Sequence, residues 1–235
     1  MVRSARALIL VPLVLGGCAT TQDRNERAKL DAQRFLAGRE PVTVTAPNPD
    51  VRVEKVALLH HDGAAAVVVE LRNTSSSPLT DLPISVGVGT GAKRVYLNRR
   101  GGYFANHVAA LAPGKTVAWA YTTKEPETLD GDPFAVVGLP SEPRLSVATT
   151  LPAVAVEPAS GLGPVVTARV RNDTGVPQYT LPIYAFARRG TRYTAAGRAT
   201  VHHLGTGQEK QVKLTLVGTT GGAQLSFQTQ PSMFE

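Results

Sequence analysis

Two stretches of this chain repeat one another at a fixed distance, and that duplication limits the possible folds more than any other feature. Arg72-Asn73, Pro78, Leu82-Pro83-Ile84 and Gly91 recur as Arg171-Asn172, Pro177, Leu181-Pro182-Ile183 and Gly190, each pair 99 residues apart. Matches in one register over several positions mark a duplicated structural unit. The segment before each motif alternates: Val67, Val69 and Leu71 interleave with Val68, Glu70 and Arg72, as Val166, Ala168 and Val170 interleave with Thr167, Arg169 and Arg171. A period of two with one apolar face is the pattern of a half-buried strand. Further on, Leu111-Ala112-Pro113-Gly114 leads to Val117, Trp119 and Tyr121 as Leu204-Gly205-Thr206-Gly207 leads to Val212, Leu214 and Leu216. The offset falls there, so the second copy has the shorter loop.

Each copy therefore reads as strand, Asn turn, Leu-Pro-Ile strand, Gly turn, strand, Gly turn, strand. With 22 glycines and 17 prolines as punctuation, about seven short strands per copy fit a β-sandwich. The two Leu-Pro-Ile prolines are expected at an edge or a strand entry, because proline cannot donate to a ladder. The arrangement resembles the immunoglobulin-like modules of bacterial surface lipoproteins. Ile183 to Gly218 is most similar to the FxLYD type, with Tyr184-Ala185-Phe186-Ala187 where the analogous strand would lie and without the Phe-Leu-Tyr-Asp signature itself. The expected fold is all-β: two tandem immunoglobulin-like β-sandwich domains after a signal peptide and a short N-terminal helix. The expected division is 1–17 signal peptide, 18–40 tether and helix, 41–149 first module and 150–235 second module, with a short linker near Thr149 to Pro152.

The amino terminus carries a different kind of signal. Arg3 and Arg6 precede an apolar run from Ala7 to Leu15, and Leu15-Gly16-Gly17-Cys18 follows. A basic start, a short apolar stretch and small residues before a cleavage point mark an export signal rather than a spanning helix. Leu15-Gly16-Gly17-Cys18 resembles the lipobox of bacterial lipoproteins. The resemblance implies diacylglycerol transfer to the Cys18 thiol and cleavage between Gly17 and Cys18. Cys18 is the only cysteine, so no disulfide within the chain can occupy it in an oxidising compartment. Two or three acyl chains hold a protein on a bilayer durably, so the expected location is a cell membrane, lipid-anchored on its extracytoplasmic side. Removing residues 1–17 takes Arg3 and Arg6 from the 25 basic residues and leaves 23 opposite 18 acidic ones, a net of about +5 that favours anionic surfaces without specifying one. Export argues against nucleic acid as a partner. Ala19 to Asp23 reads as a tether and Arg24 to Gly38 as a short amphipathic helix. Pro41, Pro47 and Pro49 then impose an extended lead-in.

Candidate chemistry is sparse. Ala109 to Thr116 matches a relaxed phosphate-loop pattern, but an alternating segment, Val117 to Tyr121, stands where a helix would have to begin, and Pro113 removes an amide. Gly87-Val88-Gly89-Thr90-Gly91 reads as a turn. His60-His61 and His202-His203 are adjacent pairs whose rings point to opposite faces of a strand, and His107 stands alone, so no metal ligand set emerges. No Gly-x-Ser-x-Gly or Ser-x-x-Lys motif supplies a nucleophile. No cofactor and no catalytic residue is expected. Asn73-Thr74-Ser75 and Asn172-Asp173-Thr174 match the glycosylation sequon, but their recurrence favours a shared turn in which the Asn side chain bonds the backbone two residues on.

Charge is concentrated in corresponding loops. Lys93, Arg94, Arg99 and Arg100 follow the Gly turn of the first copy, and Arg188, Arg189, Arg192 and Arg198 surround that of the second, with Tyr96, Tyr103, Phe104 and Tyr193 among them. Solvated turns would give the same composition. If the loops share a side, they form a basic, aromatic-dotted surface for an anionic polymer or an envelope protein. Trp119, on an alternating segment, reads as core. The expected function is a non-enzymatic, membrane-anchored binding or adaptor module of the bacterial envelope. The alternative is a structural spacer or accessory subunit of an envelope complex with no free ligand.

Overall fold

The computed structural model describes residues 24, 26–28, 30–31, 43–124, 129, 131–140, 154–160 and 163–231. Cys18, the expected signal peptide and tether, and the expected linker at 149–152 lie outside the described residues. Of the expected helix, Arg24, Glu26, Arg27, Ala28, Leu30 and Asp31 are helical, and the remainder lies outside.

The described chain is predominantly β. Its strands are β1 (Val51–His61), β2 (Ala64–Asn73), β3 (Leu79–Val88), β4 (Val95–Tyr96), β5 (His107–Leu111), β6 (Thr116–Lys124), β7 (Pro133–Val137), β8 (Val154–Ser160), β9 (Val165–Asn172), β10 (Gln178–Arg189), β11 (Arg192–Leu204), β12 (Glu209–Gly218) and β13 (Gln224–Thr229). All pairings are antiparallel. One sheet runs β1-β2-β6, a second is built on β3 with β5, β4 and β7, and a third runs β13-β10-β11-β12-β9-β8. Within the third sheet, β8-β9-β12 and β11-β10-β13 reproduce the pairings β1-β2-β6 and β5-β3-β7 strand for strand. The two groups join in one sheet through Ala195–Gly218, Ala196–Val217 and Gly197–Leu216. Gly197 makes that junction possible. A Cβ there would stand 2.7 Å from Leu216 Cδ2 and nearer still to the Thr215 carbonyl.

Corresponding residues do the same work in both strand sets. Asn73 and Asn172 are fully buried. Asn73 Nδ2 donates to the carbonyls of Ser77 and Leu111 at 2.8 and 3.0 Å, and its Oδ1 accepts from Ser75 N and Oγ. Asn172 Nδ2 donates to Val176 and Leu204 at 2.9 and 3.1 Å, and its Oδ1 accepts from Thr174 N and Oγ1. Each Asn backbone also clasps the following Gly turn, Gly114 N donating to Asn73 O and Gly207 N to Asn172 O. The sequon asparagines are thus turn-forming and buried, with no amide hydrogen left for a glycan.

The Leu-Pro-Ile motifs correct the expectation for proline, since neither sits at an edge strand or a strand entry. Pro83 and Pro182 sit inside long strands, one residue before the β7 and β13 ladders begin at Ile84–Val137 and Ile183–Thr229. Pro83 O accepts from Gly138 N at 2.8 Å, while Gly138 O, which an amide at position 83 would have bonded, accepts from Asn48 Nδ2. Proline ends the ladder from within the strand. Two residues earlier, Asp81 and Thr180 adopt left-handed φ of 56° and 51°, and the β3–β5 and β10–β11 pairings step over them. These positions are also 99 residues apart.

The alternation in β2 predicts one buried face, yet Ala65 through Val69 are all buried. Val67, Val69, Leu71, Trp119 and Tyr121 face inward toward β3 and β5. The opposite face, marked by Glu70 and carrying Val68, Ala118 and Ala120, is covered by β11 and β12. One hydrophobic cluster therefore unites Trp119, Val68 and Ala120 with Tyr184, Phe186, Tyr193, Ala196 and Val217 of the second set. Small alanines opposite large aromatic rings allow the interdigitation that close packing requires. A second cluster, containing Leu181, Ile183, Leu204 and Leu214, lies wholly within the second set, where β9 keeps the alternation.

Candidate anion-binding groove between the strand sets

Two tight hairpins frame the site. The β1–β2 turn places Asp62 and Gly63 at φ 48° and 68°, the mirror-image geometry that matches strand twist. The β10–β11 turn is Gly190-Thr191, with Gly190 at φ 58°, and it sets Arg188 opposite Tyr193 and Arg189 opposite Arg192. Where the end of β1 passes this tip, a groove of about 550 Å³ opens, walled by Leu58, Leu59 and His60 on one side and by Arg189, Arg192 and Tyr193 on the other.

Tyr193, in the wall of the groove, also belongs to a charged lock between the strand sets. Glu70 Oε1 accepts from Arg188 Nη2 and, at 2.7 Å, from Tyr193 Oη. The Arg188 guanidinium lies 4.3 Å from the Tyr193 ring centroid and Lys55 Nζ lies 5.5 Å from it. Lys55 Nζ also donates to Thr191 O. Burial raises the Tyr193 pKa above the phenol value of 10.0, and the hydrogen bond to Glu70 and its charge add to the rise against Arg188. Arg189 donates through Nε and Nη2 to Gly221 O. Arg192 is exposed and has no ion pair or hydrogen bond among the described residues. Lys55, Arg188, Arg189 and Arg192 thus gather at one hairpin tip, where among the described residues Glu70, on Arg188, is the one carboxylate bonded to any of them and no Asp or Glu lines the groove.

The structure brings three of the sequence-predicted basic residues together, Arg188, Arg189 and Arg192. Arg198, on the same hairpin, points elsewhere: its Nη2 donates to Phe104 O at 2.6 Å, in the 3-10 turn Tyr103–Ala105, and its guanidinium lies 6.0 Å from the Tyr184 ring. Lys93 closes the 3-10 turn Gly91–Lys93 and Arg94 sits 4.7 Å from the Phe134 ring, which Tyr96 meets edge-on. No hydrogen bond, ion pair or ring contact among the described residues links Lys93 or Arg94 to the groove. Arg99 is exposed in the turn Asn98–Arg100, and the Arg100 side chain is outside the described residues.

Lys55 and Glu70 were not singled out from the sequence, and His60 was weighed there only as a metal ligand. A lone carboxylate inside Ala64-Ala65-Ala66-Val67-Val68-Val69-Glu70-Leu71 was the available signal, since a buried acid requires a partner. The remaining candidates have structural roles. Trp119 is fully buried. His107 is buried, with Nδ1 2.8 Å from Tyr103 O and its ring stacked on Tyr103 at 3.7 Å. Gly114 forms the turn before β6, so the phosphate-loop look-alike runs into a strand. No three His, Cys, Asp or Glu gather as a metal site among the described residues, and none of the described helical residues forms a helix long and apolar enough to cross a membrane.

Fold and site define an all-β protein of paired, sandwich-like sheets with a cationic groove where its two strand sets meet. Comparison with protein-family models and with curated proteins finds no match to the chain.

Proposed function

We propose that this chain is a lipid-anchored, non-enzymatic binding module of a bacterial envelope. In this reading two tandem immunoglobulin-like modules, 41–149 and 150–235, stand off the membrane on a tether from Cys18, and the groove at their junction holds an anionic partner. The observation that carries the binding role is the pairing of Arg189 with Arg192 directly across a hairpin. Like charges opposite one another destabilise a strand pair, and an anion between them turns that cost into affinity. Capture from detergent-solubilised envelopes, with the native chain and with Arg189→Ser/Arg192→Ser, tests the reading. Partners lost in the double variant support it, and partners fully retained refute it. Complete membrane partitioning of Cys18→Ala would refute the anchor.

The spacer reading has its own support. The cluster shared by both strand sets makes the junction stiff, as a strut requires. A native chain that captures no anionic partner while remaining in one envelope complex would favour it.

A further inference from the structure

We infer that the groove binds a phosphate monoester, the dianionic end group of a phosphorylated glycan or lipid; this rests on reading the groove as an anion site. The first argument is charge. Lys55, Arg188, Arg189 and Arg192 gather around one hairpin tip with Glu70, on Arg188, the one carboxylate bonded to any of them among the described residues, an excess of three positive charges of which Arg189 and Arg192 line the groove itself. A single carboxylate would leave most of that excess unmatched. A phosphate monoester carries about −1.5 to −2 at neutral pH and offers three strong acceptor oxygens.

Geometry gives the second argument. Arg189 is fixed by its two donations to Gly221 O, so its Nη1 edge remains for a ligand in a set orientation. Arg192, its direct partner across the strands, is exposed and uncommitted. Two guanidinium groups on neighbouring strands can each offer a donor edge to one tetrahedral group, whereas a flat carboxylate is filled by a single fork. Size gives the third. About 550 Å³ is far more than a bare phosphate needs, and Leu58 and Leu59 supply an apolar wall for the sugar or glyceride that carries it.

The test is calorimetric titration of the full-length chain in nonionic-detergent micelles. The probes are glucose 6-phosphate, glucuronate, and micelles doped with phosphatidic acid. Binding of glucose 6-phosphate or phosphatidic acid at least about tenfold tighter than glucuronate is expected, with each of Arg189→Gln and Arg192→Gln weakening it about tenfold or more. Binding confined to the sugar phosphate identifies a glycan end group, and binding confined to doped micelles identifies a lipid headgroup; both support the inference. Glucuronate binding as tightly as the phosphates overturns the phosphate assignment but leaves the anion groove standing. No binding of any probe overturns both. Lys93→Gln/Arg94→Gln, at residues that do not line the groove, should bind normally, and loss there would overturn the location. Without ligand, Arg192→Gln should melt no lower than the native chain, because it relieves like-charge repulsion. A lower melting point would show that Arg192 is structural and overturn its role as ligand donor.

Discussion

Replacing Glu70 by alanine isolates the lock between the strand sets. The Glu70 side chain is 19% exposed and that of Arg188 38%. Exposed ion pairs contribute about 0–1 kcal/mol, and breaking a fully buried one costs about 3–5 kcal/mol. A pair with one mostly buried and one partly exposed member falls between, at about 2 kcal/mol. Tyr193 Oη, which donates to the same oxygen, loses its acceptor for about 1 kcal/mol more. Glu70→Ala should therefore destabilise by about 3 kcal/mol, which for a chain of this size lowers the melting temperature by about 6–12 °C. Denaturant unfolding of Glu70→Ala, Arg188→Met and the double variant supplies the coupling energy. The expected signature is non-additivity of at least about 1 kcal/mol, the double variant losing less than the sum of the singles. Additive losses, or a Glu70→Ala cost below about 0.5 kcal/mol, would refute the lock.

Other perturbations reach different parts of the fold. Asn73→Ala and Asn172→Ala each strip a buried turn of four hydrogen-bonding contacts, and each should cost about 2–4 kcal/mol by urea unfolding. Gly197→Ala forces a Cβ against Leu216 and Thr215, so it should unfold well below the native temperature in scanning calorimetry, while Gly63→Ala, with open space around it but left-handed φ, should cost about 1 kcal/mol. Burial raises the pKa of Tyr121, Tyr184 and Tyr193 above 10.0. Because the folded values lie above the unfolded one, stability is complete below about pH 10 and falls as pH rises past it. Urea midpoints measured across that range should fall less steeply in Tyr193→Phe, and an unchanged slope would show that Tyr193 does not titrate this way.

Much of the fold was legible because strands announce themselves through local pattern. The alternation in Val165–Asn172 predicted its own burial, and Asn73 and Asn172 named their turns through chemistry that acts within two residues. Burial of the second face of β2 was not legible, since it depends on β11 and β12, more than a hundred residues away in sequence. The left-handed Thr180 was hidden for a similar reason. A β-branched residue there opposes local preference, and only the matching irregularity at Asp81 shows that the fold demands it. For the groove, Arg189 and Arg192 were visible as charge at a turn. Lys55 and Glu70 were not, because nothing local says that β1 and β2 end beside a distant hairpin.

The doubly covered β1-β2-β6 sheet has a consequence for how the chain is made. Synthesis delivers β1 to β7 first, and until β10 to β12 arrive, the face carrying Val68, Ala118 and Ala120 stands open with Glu70 unpaired within it. The half-made molecule is a sticky intermediate that waits for its own carboxyl terminus. Cut at the midpoint, the first half would leave that apolar face uncovered, so the chain is best handled as one folding unit.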